Sequence, residues 1–327
     1  MEYEVFVSII AEAIEKYLPD EWVNAGISVV TNEKVNCKKT GILFNRTDKN
    51  YSPTVYMEEY FERFQSGWSM EEVIEDMGRL LVQLDNDEIH SVKPSEIFKE
   101  KDKIFFELIN TKENEELLKK LPHRSFLDLS IVYRWLISNN ERGMASVQIG
   151  DDMAKYYGLT EENLYQLAMK NTKELFPIVV KPMAQIVREL SGQKEEDKDE
   201  MFVVDQAVTM HVVSNNIRSF GANVMLYPEE IEKLAEALDE DLYLLPSSRQ
   251  EVVAIPKRVE DLGTLSDMLY EINMTQVPLE EMLSHQIYQL DRGAREVTLA
   301  TNLPYRPFAK EVEEPQKEEV KERSTRR

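Results

Sequence analysis

The chain has 327 residues, 42% hydrophobic and 9% aromatic, enough for two or three compact units and too apolar for a chain that stays unfolded. Its net charge of −22 speaks against direct binding to nucleic-acid phosphates or anionic membranes, which needs surplus Lys and Arg. A single cysteine, Cys37, excludes an intramolecular disulfide, and a lone thiol fits the reducing cytoplasm.

Along the chain, residues 1–120 read as an N-terminal α+β unit. Phe6, Ile9, Ile10, Ala13 and Tyr17 fall on one helical face, and Pro19 ends that helix. The early acids carry no basic leader, so no signal peptide is expected. "ISVVTNEKVNCKKTGILF" reads as a β-hairpin. "SPTVYMEEYFERFQSG" turns from extended to helical, and Ser69 with Glu72 forms a capping box for the next helix. Residues 95–121 read as a charged helical connection.

Residues 121–192 read as a central hairpin and helices. Leu129, Ile131, Tyr133 and Trp135 alternate with Ser130, Val132 and Arg134, the period of a strand. A second strand is expected around Ser146 to Ile149, then helices from Asp151 to Leu190, interrupted near Phe176-Pro177. Residues 193–200 are a charged loop. Residues 201–309 form a C-terminal α+β unit. In it "VTMHVVSN" and "ANVMLY" read as strands, "PEEIEKLAEAL" as a helix opened by Pro228, and "LYLLPSSRQEVVAIP" as a strand pair. "DLGTLSDMLYEI" reads as a helix burying Leu262, Leu265, Leu269 and Ile272, followed by short strands near Tyr288 and Val297–Leu299. Residues 310–327 are a charged tail, expected to be disordered. No apolar run approaches the ~20 residues that cross a bilayer.

Val29–Phe44 aligns without a gap to Val212–Tyr227, with Val29, Val30, Asn32 and Leu43 matching Val212, Val213, Asn215 and Leu226. Either a hairpin-plus-helix unit is duplicated or two hairpins share turn chemistry. Both fit an α+β fold of mainly antiparallel sheets, because short connections permit hairpins but not parallel crossovers.

Chemistry-bearing patterns are sparse. No histidine among His90, His123, His211 and His285 stands three to five residues from another or from Cys37, so no metal site is expected. No glycine-rich phosphate cradle occurs, so no nucleotide cofactor is expected. Cys37 sits in the lysine-rich "NCKK", where cations favour a thiolate. Ser247 and Ser248 lie at a bend where a nucleophile can be exposed, yet no G-x-S-x-G elbow surrounds them, and Gln250 and Glu251 stand where an S-x-x-K lysine would. A Pro-Ser-Ser turn explains them equally. His123 and Asp128 flank a strand entry and could serve as acid and base, so Ser247, Ser248, Glu251, His123 and Asp128 form the candidate catalytic set. Paired acids such as Glu161-Glu162 open helices, where they complement the dipole.

The stretches "SPTVYMEEYFERFQSG", "LINTKENEELLKKLPHRSFLDLSIVY", "NNIRSFGANVMLYPEEIEKLAEAL", "LYLLPSSRQEVVAIP" and "EINMTQVPLEEMLSHQIYQLDR" resemble the bacterial domain-of-unknown-function family fifty-six eighty-eight over nearly the full length. The resemblance implies an accessory protein associated with mobile elements, and no activity. It also implies a histidine just before the glutamate that follows the serine pair. Here Arg249, Gln250 and Glu251 stand there, so a required base at that position would leave this chain inactive.

Two functions fit. The first is a cytoplasmic interaction or regulatory protein with a protein partner and no catalysis, whose special form is an acidic mimic of DNA. The second is a hydrolase whose residues converge on the Pro-Ser-Ser bend.

Overall fold

A computed structural model of the protein describes residues 1–18, 22, 25–45, 52–85, 98–140, 143–191, 210–258 and 261–309. The charged loop at 193–200 and the tail at 310–327 lie outside the described residues. The fold is α+β, with three antiparallel sheets among the described residues.

The first sheet has the order β1-β2-β3. The expected hairpin forms it: β1 (Gly26–Lys34) pairs with β2 (Cys37–Asn45), and β3 (Thr54–Tyr56) adds to β2. Packed with it are α1 (Tyr3–Ala13), α2 (Glu58–Gln65) and α3 (Met70–Asp85), around Phe6, Ile10, Trp22, Phe44 and Met77. Ser69 caps α3 as expected. Its hydroxyl accepts from the Glu72 N–H, and Glu72 accepts from the Ser69 N–H. The α1 stripe is shifted, however. Phe6, Val7 and Ile10 are buried, as is Ile14 in the 3-10 turn that follows, while Ile9 and Tyr17 are exposed. The turn tightens the helix after Ala13, which moves Tyr17 off the extrapolated face. Within α1 itself the buried stripe centres on Phe6, Val7 and Ile10, which leaves Ile9 outside it.

The central sheet comprises β4 (Ile104–Asn110), β5 (His123–Phe126), β6 (Leu129–Asn140) and β7 (Gly143–Gln148), with β6 paired to the other three. β4 corrects the expected helical connection. All seven residues of "IFFELIN" are buried, and such a strand carries no alternation to betray it. Only one helical turn, α4 (Glu115–Leu118), follows it. The strand expected around Ser146 to Ile149 is present as β7, which starts earlier, at Gly143, and ends at Gln148. Helices α5 (Asp151–Tyr156), α6 (Glu161–Leu175) and α7 (Met183–Ser191) occupy the expected helical stretch. The interruption there is itself a strand, β8 (Ile178–Pro182).

β8 begins the third sheet, ordered β13-β12-β10-β11-β9-β8. Its other members are β9 (His211–Asn215), β10 (Leu242–Leu245), β11 (Val252–Pro256), β12 (Tyr288–Leu290) and β13 (Val297–Leu299). α8 (Pro228–Leu238) and α9 (Leu262–Thr275) accompany it. α9 buries Leu265, Leu269 and Asn273, while Ile272 is exposed. "ANVML" is a 3-10 helix over Gly221–Leu226, not a strand. The two aligned blocks therefore fold differently, one as a hairpin and the other as a strand plus 3-10 helix.

The largest core lies between the central and third sheets. Ile104, Phe106, Tyr133 and Trp135 meet Val213, Leu244, Val252 and Tyr288 there. α9 covers the far face of the third sheet through Leu265, Leu269 and Ile255. Among the described residues no helix is long and apolar enough to cross a membrane.

Candidate functional site

The serine bend, residues 246–251, joins β10 to β11 and acts as a backbone crossbar. On one side Leu283 donates to the Ser247 carbonyl at 3.2 Å, and the Arg249 N–H donates to the Glu281 carbonyl at 2.7 Å. On the other side the Ala222 N–H donates to the Arg249 carbonyl at 3.2 Å, and Ser214 Oγ donates to the Gln250 carbonyl at 2.7 Å. Ser248 is buried, and its Oγ accepts from the Gln250 N–H at 3.2 Å. That is the local serine turn such a dipeptide favours. The Gln250 side chain caps the neighbouring turn by accepting from the Phe220 N–H at 3.0 Å. Phe220 holds φ 58, a left-handed conformation costly for a residue with a bulky Cβ substituent.

The bend aims Arg249 at the outer face of the central sheet. Glu107, wholly buried, accepts from Arg134 Nη1 at 3.0 Å and from Arg249 Nη1 at 3.1 Å. Arg134 also donates through Nε to Ser146 Oγ at 2.9 Å, and its guanidinium lies 5.5 Å from the centre of the Phe220 ring. Apolar clusters flank this charged centre. Phe105, Leu136 and Phe176 lie at one end, and Ile109, Leu117, Leu121 and Val132 at the other.

The sequence candidates occupy separate places. His123 shares its register partner Val132 with Glu107. The two therefore lie on one face, roughly 10 Å apart across two strand spacings. Its ring Nδ1 sits 2.8 Å from the Leu121 carbonyl, to which the Nδ1–H tautomer donates. Asp128 accepts from Ser284 Oγ at 2.7 Å and from the Tyr288 hydroxyl, and burial pushes its carboxyl above the usual range. Burial likewise raises Glu251, against the pull of Arg218. Among the described residues, none of Ser247, Ser248, Glu251, His123 and Asp128 hydrogen-bonds to another's side chain.

Cys37 corrects the expectation of a thiolate. Burial and Glu280 raise its pKa, outweighing Lys39 and Lys34. Among the described residues no group of three or more His, Cys, Asp or Glu side chains is placed to hold a metal ion.

Sequence reasoning missed Glu107, Arg249, Ser284 and Tyr288. For Glu107 a signal existed, a lone acid inside the apolar run "IFFELIN", since a buried charge requires partners. Arg249 and Ser284 carry no such mark. Two shallow grooves of about 510 and 470 Å³ border α3, one lined by Tyr17, Gly78 and Val82, the other by Tyr56, Arg63 and Asp76. Neither touches the bend.

The family model described as "Family of unknown function (DUF5688)" matches residues 3–292. No curated protein and no solved structure matches the chain.

Proposed function

The chain belongs to the DUF5688 family of unknown function, and from that premise we propose that it is a soluble cytoplasmic accessory protein that acts by recognition rather than catalysis. One observation carries this reading: the side chains best suited to chemistry already serve as structural ties. Ser248 closes its own turn, Ser284 and Tyr288 hold Asp128, and His123 caps the carbonyl of Leu121. A nucleophile needs a base within hydrogen-bond reach, and among the described residues no hydrogen bond joins either serine to the side chain of His123, Asp128 or Glu251.

The net charge of −22 supports a cationic protein partner, gathered by long-range attraction that salt weakens. In a bacterial host, carriage on a mobile element fits an accessory role.

Labelling with a fluorophosphonate probe tests the reading. The expected result is no covalent adduct on Ser247 or Ser248. An adduct on either serine, abolished by His123→Ala, would establish the hydrolase instead.

A further inference from the structure

The outer face of the central sheet carries an unbalanced charge. Two guanidiniums face one carboxylate, in a chain whose net charge is strongly negative. Glu107 answers one N–H group on each arginine. Arg134 directs its Nε and Nη2 to Ser146. Arg249 has no such outlet. Its Nε is buried without a partner, and among the described residues its Nη2 makes no hydrogen bond either. Its backbone is held from both sides by Glu281 and Ala222, so the root of the side chain stays in place. Gln148, the register partner of Arg134 on the same face, also has a buried Nε2 without a partner.

Buried donors without acceptors are costly, and folds keep few of them. Water can satisfy a single N–H. The Nε–Nη2 edge of a guanidinium is different, because it presents two parallel donors and a charge, the geometry that reads carboxylate and phosphate groups side-on. The Arg249 and Arg134 side chains retain 14% and 19% exposure while Glu107 has none, so an anion arriving from outside meets guanidinium rather than carboxylate. Phe220, held in its left-handed conformation, supplies an apolar wall over Arg134.

We propose that Arg249, with Arg134 across Glu107 from it and Gln148 beside Arg134, forms a binding site for a small oxyanion, a carboxylate or phosphate group taken side-on by the Arg249 Nε–Nη2 edge. The ligand is small because a polyanion would be repelled by the rest of the surface. The proposal goes beyond the non-catalytic reading, since binding here neither needs nor excludes turnover.

Thermal unfolding and calorimetric titration of the full chain at constant ionic strength, with sodium chloride, acetate or inorganic phosphate, test it. Saturable stabilisation by acetate or phosphate beyond chloride is expected, and the stronger of the two identifies the group. Arg249→Lys keeps a charge for Glu107 but removes the fork, and should weaken that binding at least about tenfold. Arg306→Lys, at an exposed arginine elsewhere, should leave it unchanged. Should Arg249→Lys not fold, the wild-type chain still answers: phosphate or acetate should slow modification of Arg249 by phenylglyoxal in a saturable way. No saturable effect in the wild-type chain, equal affinity in Arg249→Lys, or unprotected Arg249 overturns the proposal.

Discussion

Asn36 and Asn114 hold each other by two reciprocal hydrogen bonds. Asn114 Oδ1 accepts from the Asn36 backbone N–H at 2.8 Å, and Asn114 Nδ2 donates to Asn36 Oδ1 at 2.8 Å. Asn36 forms the tip of the β1–β2 hairpin in a left-handed conformation, φ 62, which asparagine tolerates better than most residues. Its Nδ2 also donates to the carbonyls of Leu279 and Met282. One side chain thus ties the first sheet to β4's exit and to the segment that braces the serine bend.

Truncating this joint should be expensive for a surface turn. Asn36→Ala strands buried carbonyls and the Asn114 amide, at a cost of about 2–3 kcal/mol, and adds left-handed strain that Asn36→Gly avoids. Urea unfolding should rank the wild type above Asn36→Gly, and Asn36→Gly above Asn36→Ala.

Gly221 is required by close approach. A Cβ there would stand 2.2 Å from the Gln250 carbonyl oxygen and 2.2 Å from Ser214 Oγ, which are themselves hydrogen-bonded to each other. Gly221→Ala should therefore cost at least about 2 kcal/mol. Ser214→Ala, which removes one of the two obstacles, should recover part of that loss in the double variant. Additive losses would contradict the geometry.

These ties explain which parts of the fold were legible in the sequence. Helix α8 announces itself by Pro228 and its stripe of Ile231, Leu234 and Ala235, and the β1–β2 hairpin by its two β-rich runs. Local signals set those elements. β4 is buried on both faces and β8 is five residues long, so neither offers a period to read. "ANVML" carries β-prone residues but folds as a 3-10 turn, because Gly221 must slip beneath Gln250. The candidate site was legible only in part. The bend was evident from Pro246 and its serines, whereas the Glu107–Arg249 pair spans 142 positions, and only the sheet arrangement brings its ends together.

Two buried titrating groups push stability in opposite directions with pH. Burial, with Arg306 nearby, lowers His285 from 6.5 to about 4. The unfolded chain therefore takes up this proton first. The contribution is fully present above pH 6.5 and is lost as pH falls toward 4. Asp128 is raised by burial, so its folded form holds a proton that the unfolded chain has released, and its contribution grows as pH falls through the folded value. Unfolding free energies measured from pH 4 to 7 should fall less steeply toward acid in His285→Asn and more steeply in Asp128→Asn.

The raised pKa of Cys37 predicts a sluggish thiol. At pH 7 its reaction with a disulfide reagent should be slower than that of a free cysteine, because only the thiolate attacks. Glu280→Gln removes one of the charges that raise the pKa and should speed the reaction.

The Arg134–Glu107–Arg249 cluster should be fragile to single changes and tolerant of concerted ones. Removing Glu107 alone leaves two guanidiniums facing each other in a largely buried place, and Glu107→Leu should cost about 3–5 kcal/mol. Burying the three charges also costs desolvation, which their mutual attraction only partly returns. Glu107→Leu combined with Arg134→Met and Arg249→Met should therefore recover most of the loss, since apolar side chains can merge the two flanking clusters into one. Equilibrium unfolding of the single and triple variants checks this. A triple variant as unstable as Glu107→Leu would mean that Arg134 and Arg249 hold the sheet through contacts other than the shared carboxylate.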